Sequence, residues 1–199
     1  LTDFRDPWSD MDYLDEFKMG ARARKKLVEM ERQVVKNCDH ILINSPSVAN
    51  SHLEILDKNK HTLIPNGWDS NDFENISVVS EKRTHFRIGH FGALYGSRNA
   101  PGLWKAVTRW NSEQEMKIEI VLVGSIGEDV RKAMENTDFI KHLPGVNHKE
   151  AILEMMKCDA LLLVQNNTDP ARKCTPGKVF EYIATQKPIV SICNSPSDL

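Results

Sequence analysis

Residues 86–192 repeat one pattern: a short apolar run, a loop containing small residues, then a segment of helical length. The apolar runs fall at 86–91, 118–123, 139–143, 160–164 and 189–192. Helices are predicted over 101–110, 128–136 and 149–157, and another opens at Pro176-Gly177-Lys178. Runs such as Ala160-Leu161-Leu162-Leu163-Val164 are apolar at every position rather than at alternate ones. A strand with no polar face must be covered on both sides, which parallel strands joined by crossover helices achieve. The expected fold class is therefore α/β, a Rossmann-like parallel sheet with helices on both faces.

The first third of the chain is less regular. A helix start is predicted at Ser9-Asp10-Met11-Asp12, and Leu27, Met30, Val34, Val35 and Cys38 keep helical spacing through residues 13–36. The opposite face of that helix is basic (Arg22, Arg24, Lys25, Lys26, Arg32 and Lys36), as a solvated face is, with attraction to a membrane surface as the lesser alternative. Short strands are expected at 40–44 and 61–64 with a helix at 47–56 between them, and Asn66-Gly67 signals a turn. Apolar density drops over residues 69–84, the expected domain boundary.

Composition excludes several classes of function. Lys and Arg number 26 against 28 Asp and Glu, a net charge of −2, so no nucleic-acid partner is expected. The four cysteines are widely spaced without a C-x-x-C pair and the seven histidines lack ligand spacing, which disfavours structural zinc. Cysteines in or beside apolar segments read as buried thiols of a reducing, cytoplasmic compartment. No apolar run approaches the ~20 residues of a membrane span. The P-loop, G-x-G-x-x-G and G-x-S-x-G patterns are all missing.

In a doubly wound sheet, ligands bind at the carboxyl ends of the strands, where strand order reverses. The loops 92–99, 124–127, 144–148 and 165–177 each follow a predicted strand and are expected along that edge. Within them, Gly92 would let a ligand approach the backbone, and Arg98 can pair bidentately with phosphate. At Pro176-Gly177-Lys178 a helix start, bare amides and a lysine suit a phosphate, with Glu181 one turn on to accept from sugar hydroxyls. The same residues suit an ordinary helix start equally well.

Five segments in order carry a resemblance: Asp3-Phe4-Arg5-Asp6-Pro7-Trp8; Ile64-Pro65-Asn66-Gly67-Trp68-Asp69 with Phe73; His90-Phe91-Gly92-Ala93-Leu94; Leu143-Pro144-Gly145-Val146 with Glu150; and Pro176-Gly177-Lys178-Val179-Phe180-Glu181-Tyr182. Together they resemble retaining glycosyltransferases of the two-Rossmann-domain (GT-B) type, the group 1 glycosyl transferases. The resemblance covers nearly the whole chain. It implies that residues 1–68 are the end of an N-terminal, acceptor-side domain, 69–85 a linker, and 86–199 a nucleotide-sugar-binding domain short of its last elements. Such a piece is expected to be inactive alone.

Carried over, the resemblance implies that Arg98 and Lys178 contact the donor diphosphate and serve catalysis. Gly92, Ala93 and Gly177 would lie against that diphosphate, Pro144 and Val146 would hold the base, and Glu181 would grip the ribose. Two positions depart from the pattern: Lys173 stands where the family has the first of two glutamates, and Ala93 where it has an arginine. The implied partners are a UDP- or GDP-sugar and a glycan or lipid-linked acceptor in bacterial polysaccharide synthesis. The nucleotide-sugar is a substrate; no cofactor and no metal is expected. A cytoplasmic location is implied, with peripheral membrane association. Two other readings stay open: a non-catalytic nucleotide-binding subunit, and a sugar-nucleotide epimerase.

Overall fold

The computed structural model describes residues 1–11, 14–52, 60–74, 76, 83–135 and 137–199. The chain divides into two compact units, one of residues 1–66, 166–176 and 193–199, the other of 67–165 and 177–192.

In the first unit, β1 (Thr2–Phe4), α1 (Ala21–Asn37), β2 (Ile41–Ile43), α2 (Pro46–His52) and β3 (His61–Leu63) build a parallel sheet in the order β1-β2-β3. Its core is Phe4, Val35, Ile41, Ile43, Val48 and Ala49, with Trp8 stacked on Phe4. The long helix expected from Ser9 onward starts later. A 3₁₀ turn covers Leu14–Phe17, Lys18 takes a positive φ of 48°, and α1 begins only after the extended Gly20. The Ser9 hydroxyl donates to the buried carboxylate of Glu31. Residues 53–56 of the second expected helix lie outside the described residues.

The second unit holds β4 (His85–Phe91), α3 (Pro101–Glu113), β5 (Lys117–Val123), α4 (Glu128–Ala133), β6 (Ile140–Leu143), α5 (His148–Met156) and β7 (Ala160–Val164). After the chain visits the first unit through the short α6 (Asp169–Arg172), the series closes with α7 (Lys178–Ala184) and β8 (Ile189–Ile192). All five strands are parallel, in the order β6-β5-β4-β7-β8. The expected α/β class is what the chain forms. Leu161, Leu162 and Leu163 are each 0 % exposed. Consecutive side chains point to opposite faces of a sheet, so both faces of β7 are covered, and the unbroken apolar run follows from that.

Two details between β7 and α7 differ from expectation. Pro176 lies outside the helix it was expected to open, because α7 begins at Lys178 with Gly177 as its cap. The loop 165–175 carries α6, whose cap Thr168 accepts from the Ala171 amide and whose first turn holds Pro170.

Candidate functional site

Strand order in the second unit reverses at β4, which has β5 and β6 on one side and β7 and β8 on the other. Strands β4 and β7 pair only through Ile88–Ala160 and Gly89–Leu161, then separate. The opening leaves backbone groups to satisfy, and two side chains meet them. The buried Tyr182 hydroxyl accepts from the Phe91 amide at 2.9 Å and donates to the Leu162 carbonyl at 3.4 Å. The His90 Nδ1–H donates to the same carbonyl at 2.9 Å. Burial, and next the charge of Lys178, lower the His90 pKa to about 3, so its ring is neutral. Tyr182 thereby locks α7 under the ends of the two strands.

On the other side of β4 the ladder runs past the strands into the loops. Gly92 N–H donates to the Val123 carbonyl at 2.8 Å, Leu94 N–H to Ser125 at 2.9 Å, and Gly127 N–H to Leu94 at 2.7 Å. Gly124 N–H continues the ladder to Leu143 at 3.0 Å. Loops held this way are preorganised. Gly92 and Gly124 adopt φ of +113° and +126°, a region L side chains avoid. A Cβ on Gly124 would stand 2.7 Å from the Gly92 carbonyl oxygen, so the two loops approach this closely only because residue 124 is glycine.

Into this corner projects Lys178. A Cβ on Gly92 would lie 2.8 Å from Lys178 Nζ, so the ammonium rests against the bare Gly92 backbone. Among the described residues it makes no hydrogen bond and no ion pair. Burial, then the positive charge of Arg98, lower its pKa to about 8, while Glu181 acts the other way. Arg98 is placed by its amide, which donates to the Tyr95 carbonyl at 3.0 Å, and its guanidinium lies 5.4 Å from the centre of the Tyr95 ring. Two like charges brought together at a topological switch point repel each other until an anion lies between them. A phosphate answers that demand.

Glu181 shares α7 with Lys178, one turn on, and its Oε1 lies 3.0 Å from His148 Nε2 at the start of α5. Gly92, Arg98, Gly177, Lys178 and Glu181 therefore gather at one place, with Ala93 in the loop beside His90. Pro144 and Val146 stand on the same edge, past the end of β6 and before α5. Residues 166–176, expected along this edge, pack with the first unit instead. There Lys173 pairs with Asp10, and its carbonyl accepts from the Ser45 hydroxyl at 2.5 Å. His148 was missed from sequence: it follows a capping residue and no motif includes it. Of the cysteines, Cys158 is buried as expected, and burial pushes its thiol up to about 12, whereas Cys193 is exposed.

No protein-family model matches this sequence, and no curated protein matches it either. Solved structures do. The chain is similar to WaaG, a glycosyltransferase involved in lipopolysaccharide biosynthesis (TM-score 0.66, 13 % identity, covering 88 % of this chain and 50 % of that one). It is similar to Anabaena HepE in complex with UDP and glucose (TM-score 0.65, 13 % identity, 96 % and 51 %). It is also similar to S. aureus TarM in complex with Fondaparinux, alpha-GlcNAc-glycerol and UDP (TM-score 0.60, 9 % identity, 87 % and 34 %). These neighbours are GT-B glycosyltransferases. The chain spans half or less of the length of WaaG and TarM and about half that of HepE.

Proposed function

We propose that this chain is the donor-binding part of a retaining glycosyltransferase. The enzyme moves a sugar from a UDP- or GDP-sugar to a glycan or lipid-linked acceptor, in bacterial surface polysaccharide synthesis. The observation that carries this reading is Lys178 lying against the bare backbone of Gly92, with Arg98 near enough to act on its charge, where β4 and β7 separate. Structural neighbours bound to UDP support it.

Breaking the anomeric C–O bond leaves negative charge on the departing diphosphate. Lys178 and Arg98 supply positive charge there before the donor arrives, and one such donor is worth about 3 kcal/mol of barrier. Ala93 and Gly177 line the diphosphate, Pro144 and Val146 hold the base, and Glu181 accepts from the ribose hydroxyls. The two cations perform the neutralisation a divalent metal performs elsewhere, and no metal is assigned. Attack on the face from which the diphosphate departs accounts for retention, so no protein nucleophile is assigned.

No helix among the described residues is long and apolar enough to cross a membrane. Five exposed cations on α1 (Arg22, Lys25, Lys26, Arg32 and Lys36) support peripheral contact with an anionic membrane surface from the cytoplasmic side.

Calorimetric titration with UDP and GDP tests the site. One of them binds the wild-type protein, and Arg98→Ala and Glu181→Ala each weaken it about tenfold or more. Binding by both variants at wild-type strength overturns the assignment.

A further inference from the structure

The geometry points to His148 as a positioning residue that sets the Glu181 carboxylate for the ribose of the donor nucleotide. The inference rests on the donor-site reading above and deepens it. His148 is the first residue of α5, and its ring bridges two carboxylates from different elements. Nε2 lies 3.0 Å from Glu181 Oε1 on α7, and Nδ1 lies 3.7 Å from Asp72 Oδ2 on the 3₁₀ turn Ser70–Phe73. A neutral imidazole has one N–H and would turn a lone pair towards one of these carboxylates. The imidazolium presents an N–H to each, so the bridge is complete only in the protonated ring.

The base of that ring is itself fixed. Asn147 Oδ1 accepts from the Glu150 amide at 2.9 Å and the Asn147 amide donates to Glu150 Oε2 at 3.3 Å, a reciprocal cap that anchors the start of α5. Glu181 is therefore held through Oε1, which leaves Oε2 to accept from a ribose hydroxyl. A carboxylate ordered before the ligand arrives loses less freedom on binding. His148 touches no reacting atom in this scheme and acts through Glu181 alone.

The arrangement makes ribose recognition depend on pH. The Glu181 hydrogen bond raises the His148 pKa above its ordinary value, burial opposes it, and the charges of Glu181 and Asp72 add to the rise. The elements packed on α5 also carry Asp69 and Glu74 beside the 3₁₀ turn and His85, Arg87 and His90 on β4, and Lys149 and Glu150 follow on α5 itself. Among the described residues, Glu181 and Asp72 are the charges that act on His148. As pH rises through that raised value the ring loses its second proton, one N–H remains for two carboxylates, and Glu181 is held less firmly. Affinity for a ribose-bearing ligand then falls. Lys178, with its pKa near 8, also weakens phosphate binding as pH rises, so a ligand without ribose provides the reference.

The experiment is calorimetric titration of UDP and of inorganic pyrophosphate from pH 6 to 9, on wild type, His148→Gln and Asp72→Asn. The histidine ring signals are followed by NMR in the same samples. In wild type, UDP affinity should fall more steeply with pH than pyrophosphate affinity. His148→Gln should weaken UDP about threefold at pH 6.5, leave pyrophosphate unchanged, and remove the difference in slope. Asp72→Asn should shift the inflection to lower pH together with the His148 ring signal. UDP binding that matches wild type in His148→Gln at every pH overturns the inference and leaves the donor site standing. If neither UDP nor GDP binds the folded wild-type protein, the donor-site reading falls, and the inference with it.

Discussion

Lys178 shows how a single side chain can work against the fold that carries it. Its ammonium is held at the end of β4 without an ion pair among the described residues and beside a second cation. The folded pKa of about 8 lies below the ordinary lysine value of 10.5. Below pH 8 both folded and unfolded chains carry the charge, and folding bears its full burial cost. Between about 8 and 10.5 the unfolded chain binds more protons, so this group makes stability rise with pH. Lys178→Met should therefore stabilise the ligand-free protein at pH 7 by about 1–2 kcal/mol, with the gain shrinking towards pH 10.5. The same change should weaken UDP binding by about tenfold or more, since a charge-assisted hydrogen bond is lost. Thermal unfolding at pH 7 and 10 together with calorimetry checks both halves. A variant no more stable than wild type at pH 7 contradicts the strain assigned to Lys178.

At the scale of elements, the decisive joint is where β4, β7 and α7 meet. Strands that part at a switch point leave amides and carbonyls without a ladder partner, and here one hydroxyl serves two strands. Tyr182→Phe keeps the ring and removes the hydroxyl, leaving the buried Phe91 amide unpaired. The expected cost is about 1–3 kcal/mol, read by urea unfolding, with weaker UDP binding because α7 carries Lys178. Loss of stability below about 0.5 kcal/mol would show that the hydroxyl is not what joins α7 to the sheet. This joint was half legible in the sequence. Phe180-Glu181-Tyr182 marked the helix, and the apolar runs marked both strands, but their spacing says nothing of which strands neighbour each other. The pairing of Tyr182 with Phe91, across 91 residues, is a product of strand order.

At the scale of the whole molecule, the chain does not divide at one point. Residues 166–176 and 193–199 return to the first unit, where Asp198 caps α2. Its carboxylate accepts from the Ser47 amide at 2.9 Å and from the Ser47 hydroxyl at 2.5 Å, and its own amide donates to the Arg172 carbonyl at 2.8 Å. Asp198→Ala should cost the first unit about 1–2 kcal/mol, as loss of a helix cap does, while nucleotide binding by the second unit stays as in wild type. Hydrogen exchange resolved along the chain separates the two effects; equal loss of protection in both units would contradict this division of labour. The polar stretch 69–84 was the boundary the sequence suggested, and composition could suggest nothing else, because an excursion of eleven or seven residues has no compositional mark.

By itself the sequence determined the class of fold and the type of chemistry on offer. Five largely apolar runs separated by helical segments, one of them apolar at every position, favour a parallel sheet covered on both faces, and glycines, an arginine and a Pro-Gly-Lys start placed after such runs anticipate an anion at the strand ends. These are local properties, set by side-chain period and backbone permissiveness. The tertiary structure decided the relations between distant residues. It set Lys178 against Gly92 and Arg98 and drew His148 to Glu181, while Lys173 went with Asp10 to the first unit. The reason is that strand order and the hand of each crossover choose which loops become neighbours, and neither choice is encoded in the spacing of residues along the chain.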